Sequence, residues 1–93
     1  MSTVSDNAGN LVAGGSAKAA LEFIVKSIVD DKESVVVQAE ENGDNTVLRV
    51  FVAPGDKGKV IGKRGRVAVA VRTLARAVGA RENQNITVNI ADD

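Results

Sequence analysis

The chain is predicted to fold as an α+β domain: a three-stranded sheet covered on one face by three helices. Three observations carry this reading. Apolar residues recur at helical spacing in three segments, and they alternate at strand spacing in three others. The order along the chain is helix, strand, strand, helix, helix, strand, which leaves one apolar sheet face for the helices to bury. At 93 residues there is room for one core and a tail.

Residues 1–15 are rich in Gly, Ser, Asn and Asp with no apolar period, and they read as a flexible tail ending at Gly14-Gly15. The folded domain is expected over 16–93. Ser16 is placed to cap a first helix running through Asp31, with Ala17, Ala20, Leu21, Ile24, Val25 and Ile28 on its buried side. Glu33 to Glu40 alternates as a strand, with Val35, Val37 and Ala39 on one face. Asn42-Gly43 turns a hairpin into a second strand, Thr46 to Ala53. Leu48, Val50 and Val52 take one face of that strand; Val47, Arg49 and Phe51 take the other. Pro54 cannot continue the ladder.

Asp56 is a candidate cap for a short helix, Lys57 to Ile61. The stretch Gly62 to Gly65 interrupts it, and a longer helix follows from Arg66 to about Val78. Val67, Ala70, Val71, Leu74, Ala77 and Val78 form its apolar stripe, and Gly79 is placed as its C-terminal stop. Asn85 to Ile90 alternates as the third strand, with Ile86, Val88 and Ile90 inward.

Composition excludes several chemistries. There is no Cys and no His, which removes disulfides, thiolate nucleophiles, the usual zinc sites and the commonest general base. The carboxylate pairs Asp30/Asp31 and Glu40/Glu41 sit at element ends with no converging partner set. No catalytic residue, metal or cofactor is therefore expected. No apolar run is long enough to span a bilayer, and the N-terminus does not read as a signal peptide, so a cytoplasmic protein is expected. Only two aromatics occur, Phe23 and Phe51, so the core must be aliphatic and no base-stacking platform is available.

Net charge is zero, but it is unevenly placed. Residues 57–81 hold Lys57, Lys59, Lys63, Arg64, Arg66, Arg72, Arg76 and Arg81 and no acid. That asymmetry points to a polyanionic partner, with a solvated helix face as the alternative. Arg72, Arg76 and Arg81 are read as solvated helix face. Lys57, Lys59 and Arg66 are left open between contact and solvation.

The densest charge falls in "VIGKRGR", on a glycine loop. A P-loop fails, because Lys57 stands where the first glycine is needed and Arg64 where the magnesium-binding hydroxyl is needed. The dinucleotide fingerprint fails, because the loop follows a helix rather than a strand. What remains is G-x-x-G between two helices. Two residues without Cβ admit a phosphodiester closely, the next helix offers free N–H groups, and Lys63 and Arg64 supply charge.

With the element order and the run "VAPGDKGKVIGKRGR", together with "EFIVKSIVD" and "VRTLARA", the chain resembles a type II KH domain. More closely, it is similar to the small bacterial single-KH RNA-binding proteins of the KhpA (YlqC) family, from Ala17 to about Ile90. The resemblance implies single-stranded RNA as partner, with Gly62, Lys63, Arg64 and Gly65 clamping the backbone of about four nucleotides. It also implies that Val60 and Ile61 help form the groove floor and that Arg66 is the basic residue opening the second helix; Lys59, a cation beside this set, is counted among the RNA-binding candidates. It implies an RNA-chaperone or post-transcriptional role and a homodimer or heterodimer with a second KH-domain protein. Ala68 departs from the family, which has Ile three residues after the second glycine; the change either opens the groove or shifts packing onto Val67 and Val71. Two other readings stay open: a protein-interaction adaptor with little RNA binding, and a fragment of a multi-KH factor, against which the start and the "NITVNIADD" end are taken to argue.

Overall fold

The structure is a computed structural model and describes residues 15–91. The segment 1–14, assigned above to a tail, and residues 92–93 lie outside the described residues. Six elements follow in the expected order: α1 Gly15–Ile28, β1 Val36–Asn42, β2 Asn45–Phe51, α2 Lys57–Ile61, α3 Arg66–Arg81 and β3 Asn85–Ile90. Short 3₁₀ turns at Lys32–Ser34, Pro54–Asp56 and Lys63–Gly65 join them.

The sheet order is β1-β2-β3. β1 and β2 form an antiparallel hairpin in which Asn42 pairs with Asn45 and Val37 with Val50. Its loop is Gly43-Asp44, and Gly43 takes φ 66. Glycine is needed at that first loop position because the tight turn matching strand twist requires positive φ there. β3 lies parallel to β2, with Leu48 opposite Val88. A parallel neighbour cannot be reached by a tight turn. The crossover is α2, the glycine loop and α3, so the sheet topology itself suspends that loop between two helices.

The core is aliphatic, as composition requires. Leu21, Val25 and Val29 meet Leu48, Val50, Val60, Val71 and Val88, each at most 3% exposed. Each such side chain contributes on the order of 2 kcal/mol on burial. Phe23 projects outward from α1, and Phe51 is half-buried on the outer sheet face. The strand faces follow the predicted alternation, with one difference: Ala39 is exposed, because β1 is an edge strand and only Val37 within it is buried.

Several boundaries differ for physical reasons. Gly15 already belongs to α1, and Ser16 is not its cap; the Ser16 hydroxyl donates to Glu82 Oε2 at 2.7 Å, joining the start of α1 to the end of α3. α1 ends at Ile28 rather than Asp31, because the amides of Asp30 and Asp31 bond a side chain elsewhere in the fold, the Asp56 carboxylate. The buried stripe of α3 is Ala68, Val71, Ala75 and Gly79; Val67 and Val78 flank it, while Ala70, Leu74 and Ala77 are exposed. Small side chains were chosen over Leu74 because α3 packs closely against both α1 and β3.

Gly79 is accordingly not a helix stop. The helix runs two residues further, and Asn83 takes the left-handed position at φ 60. Gln84 N donates to Gly79 O at 2.8 Å and Asn83 N to Ala80 O at 3.1 Å, the two bonds of a Schellman motif. Gly79 serves close approach instead. A Cβ there would overlap Ile86 Cγ1 and lie 3.1 Å from Gln84 O. Gly79→Ala gains about 1 kcal/mol of helix propensity but overpacks the contact at a cost of about 1–3 kcal/mol. The expected outcome is a Tm lower by roughly 5 °C in a thermal melt; a higher Tm would show that the α3–β3 contact relaxes freely.

Candidate nucleic-acid interface

The loop between α2 and α3 is built from its backbone outward. Gly62 N donates to Gly58 O at 2.8 Å, ending α2, and Gly65 N donates to Gly62 O at 3.1 Å, closing the loop. Three of its four residues have positive φ: Gly62 (φ 76), Arg64 (φ 57) and Gly65 (φ 73). The two glycines are not equivalent. Gly62 has ψ 175, a region open only to glycine, and a Cβ on it would lie 2.9 Å from Val67 N. Gly65 has ψ 13, ordinary left-handed helical geometry, and a Cβ on it would meet nothing within 4 Å. Gly62 is therefore demanded by the fold, while the space beside Gly65 is open to a ligand.

Arg64 is a non-glycine residue in the left-handed region, a placement that costs about 1–2 kcal/mol. Lys63, Arg64 and Arg66 are all exposed, and their side chains have no hydrogen-bond or ion-pair partner among the described residues. They surround the start of α3, whose positive dipole end favours an anion, although the amides of Gly65 and Arg66 already donate to Gly62 O and Lys63 O. Cations, a helix start and an unobstructed backbone together can take an extended chain of phosphates.

Beside the loop lies a cleft of about 370 Å³. α2 contributes Lys57 and Ile61, the loop Arg64 and Gly65, α3 Ala68, Val69 and Arg72, and the end of β3 Ile90 and Ala91. Ala68 is 5% exposed and lines this cleft with a small side chain. A second cleft of about 320 Å³ continues along β3 past Arg72 and Arg76.

The predicted residues are not all brought to this surface. Ile61 is 40% exposed and lines the cleft, but Val60 is fully buried and belongs to the core. Lys59 is turned toward the body of the domain, ion-paired with Asp30 and, at 3.3 Å, with Asp56 Oδ1. Asp56 is not a helix cap either, since its side chain makes no capping bond to α2. Instead, this 4% exposed carboxylate accepts the N–H of Asp31 at 3.0 Å and of Asp30 at 3.2 Å. A sequence signal existed only in the acid itself; its partners lie some 25 residues earlier.

The Asp31 amide, then the Asp30 amide and Lys59, hold the Asp56 carboxyl below its ordinary 3.8 against the opposing effect of burial. The hydrogen bond and charge of Asp30, with those of Asp56, raise Lys59 above 10.5 despite some burial. For a carboxyl lowered in the folded state, the stabilisation is complete above 3.8 and is lost as pH falls below that value. Asp56→Asn should therefore melt below the wild type at pH 7, and the gap should narrow in melts at pH 3. A gap unchanged between the two would mean the charge is not what holds the brace. For the glycines, Gly62→Asn should lose about 1–3 kcal/mol, whereas Gly65→Asn should stay within about 1 kcal/mol of wild type; urea unfolding of the two variants compares them directly.

No helix among the described residues is long and apolar enough to cross a membrane. Against known families, the "KhpA/KhpB, KH domain" family matches residues 18–90. The RNA-binding protein KhpA of Clostridium acetobutylicum is 44% identical over 73 residues, covering 78% of this chain and 97% of that protein. The RNA-binding protein KhpA of Borreliella burgdorferi is 43% identical over 72 residues, covering 77% of this chain and 88% of that protein. Among solved structures, Aquifex aeolicus Era bound to GDP.AlF4- matches with a TM-score of 0.56 at 16% identity, over 80% of this chain and 29% of that one. That last likeness speaks to fold alone.

Proposed function

Since the chain belongs to the KhpA/KhpB KH-domain family, we propose that it binds single-stranded RNA, clamping the phosphate backbone on Gly62, Lys63, Arg64 and Gly65 while bases enter the cleft beside α3. The carrying observation is the geometry of Gly65. Its positive φ favours glycine, and it stands open-sided between unpaired cations at the head of α3, with no atom within 4 Å of where a Cβ would be. Curated relatives matched over most of their length are named RNA-binding proteins, which supports the same reading.

Lys63, Arg64 and Arg66 carry the charge of the clamp. Lys59 supports it from below by tying α2 to the domain body, and Ile61, with Ala68 and Val69, offers apolar contact to bases. Binding is governed by phosphates, and no aromatic lines the cleft to serve as a stacking platform. One groove of about four nucleotides is a modest site. Pairing with a second copy or a second KH-domain protein raises avidity without new contacts, and this belongs to the proposal, as does action as an RNA chaperone.

The test is fluorescence anisotropy of a labelled single-stranded RNA at several salt concentrations, with wild type and Lys63→Asp/Arg64→Asp. For single strands the salt slope is about −0.7 per phosphate neutralised. The double variant should lose at least tenfold in affinity and about 1.4 of that slope, while circular dichroism shows it folded. Equal binding by a folded double variant would remove the loop from the interface and favour a protein partner for this surface.

A further inference from the structure

The two clefts beside α3 are one slot divided by a single side chain. β3 is an edge strand, paired only with β2. Its open side faces α3, and the slot runs between them, from Gly65, Ile90 and Ala91 at one end to Arg76 and Ile86 at the other. Arg72 lines both halves. It is half-buried, and its Nε donates to the Val88 carbonyl at 3.2 Å. That bond fixes the plane of the guanidinium across the slot. It also uses only one corner of the group. The end-on pair, Nη1 and Nη2, has no partner among the described residues. No carboxylate lines either half of the slot.

A guanidinium held this way is more than a solvated helix charge. Its remaining donors form a rigid fork that matches two adjacent acceptors and nothing else. Among the four RNA bases, only guanine (O6 with N7) and cytosine (O2 with N3) present two adjacent acceptors. Adenine and uracil alternate acceptor with donor on every edge they offer, so they can satisfy one arm of the fork only. The fork is the same device that reads guanine in nucleic-acid grooves generally. Unstacked single-stranded bases expose these edges.

Resting on the reading of this surface as an RNA groove, we infer that Arg72 is its base-reading residue, selecting guanine or cytosine over adenine at the position where the slot is divided. The phosphate clamp at Lys63 and Arg64 then positions the strand without reading it, and Arg72 supplies discrimination nearly two helical turns into α3. The Val88 carbonyl acts through Arg72 as a positioning group.

The experiment uses the full chain and labelled RNA octamers of uracil with one central adenine, cytosine or guanine, read by anisotropy. Wild type is expected to favour the guanine or cytosine octamer over the adenine one by about fivefold or more. Arg72→Lys keeps the charge but loses the planar fork, and the ratio should fall below about twofold. Arg72→Gln serves as a second variant, with the same loss of ratio expected, and circular dichroism checks the fold of both. A ratio that survives in both folded variants overturns the inference, as does a loss of affinity equal for all three octamers, which would make Arg72 a phosphate contact. Wild type binding all three equally overturns this inference alone. Wild type binding none of them overturns the groove reading with it.

Discussion

The structure depends on how a buried carboxylate is satisfied. Asp56 lies between the end of β2 and the start of α2, at 4% exposure. Burying an ionised carboxylate is costly unless donors replace the lost water. Here the donors are the amides of Asp30 and Asp31, just beyond α1, and the ammonium of Lys59, within the first turn of α2. The same contacts stop α1, open the turn toward β1 and hold the stalk of the glycine loop against the domain body. A five-residue helix has little stability of its own; α2 is held by this brace and by Val60 in the core.

With the stalk held, the loop can be unfavourable locally. Three left-handed residues in four would not persist in a free segment. Gly62 accepts its conformation because no other residue can, and Arg64 accepts it at a cost. Strain of this kind persists where surrounding structure over-determines it. The consequence is that Lys63 and Arg64 are held outward beside an open backbone, the arrangement on which the proposed clamp rests.

The parallel placement of β3 has a second consequence. It makes β3 an edge strand whose open side faces α3, and α3 does not close that side completely. Close packing of α3 runs along Val71, Ala75 and Gly79, and toward the loop the small Ala68 lines the cleft. Arg72 crosses the gap and satisfies one β3 carbonyl, that of Val88. The same geometry that satisfies an exposed strand edge thereby produces a charged, half-apolar slot.

Much of this was legible in the residues themselves. Periodicity located all six elements, because alternation and helical spacing are local signals, and the glycine loop announced itself by two glycines around two cations without any acid nearby. The KH-type order was legible for the same reason. What tertiary structure decided were partners distant in sequence. Asp56 reads as a cap from its neighbours, yet it bonds amides 25 and 26 residues away. Lys59 and Val60 sit in a basic, apolar motif, yet one turns to Asp30 and the other into the core, because a helix sends adjacent residues about 100° apart and only the packed body sets which face is inside. Gly79 reads as a stop, yet Ile86 requires its lack of a side chain while Asn83 ends the helix. Arg72 reads as surface, and only the side-by-side placement of α3 and β3 brings it to the Val88 carbonyl. The sequence by itself determined the elements, their order and the loop, since those follow from nearest neighbours. Which face of each element is buried, and which charges remain unpaired, followed from how the sheet and helices close on one another.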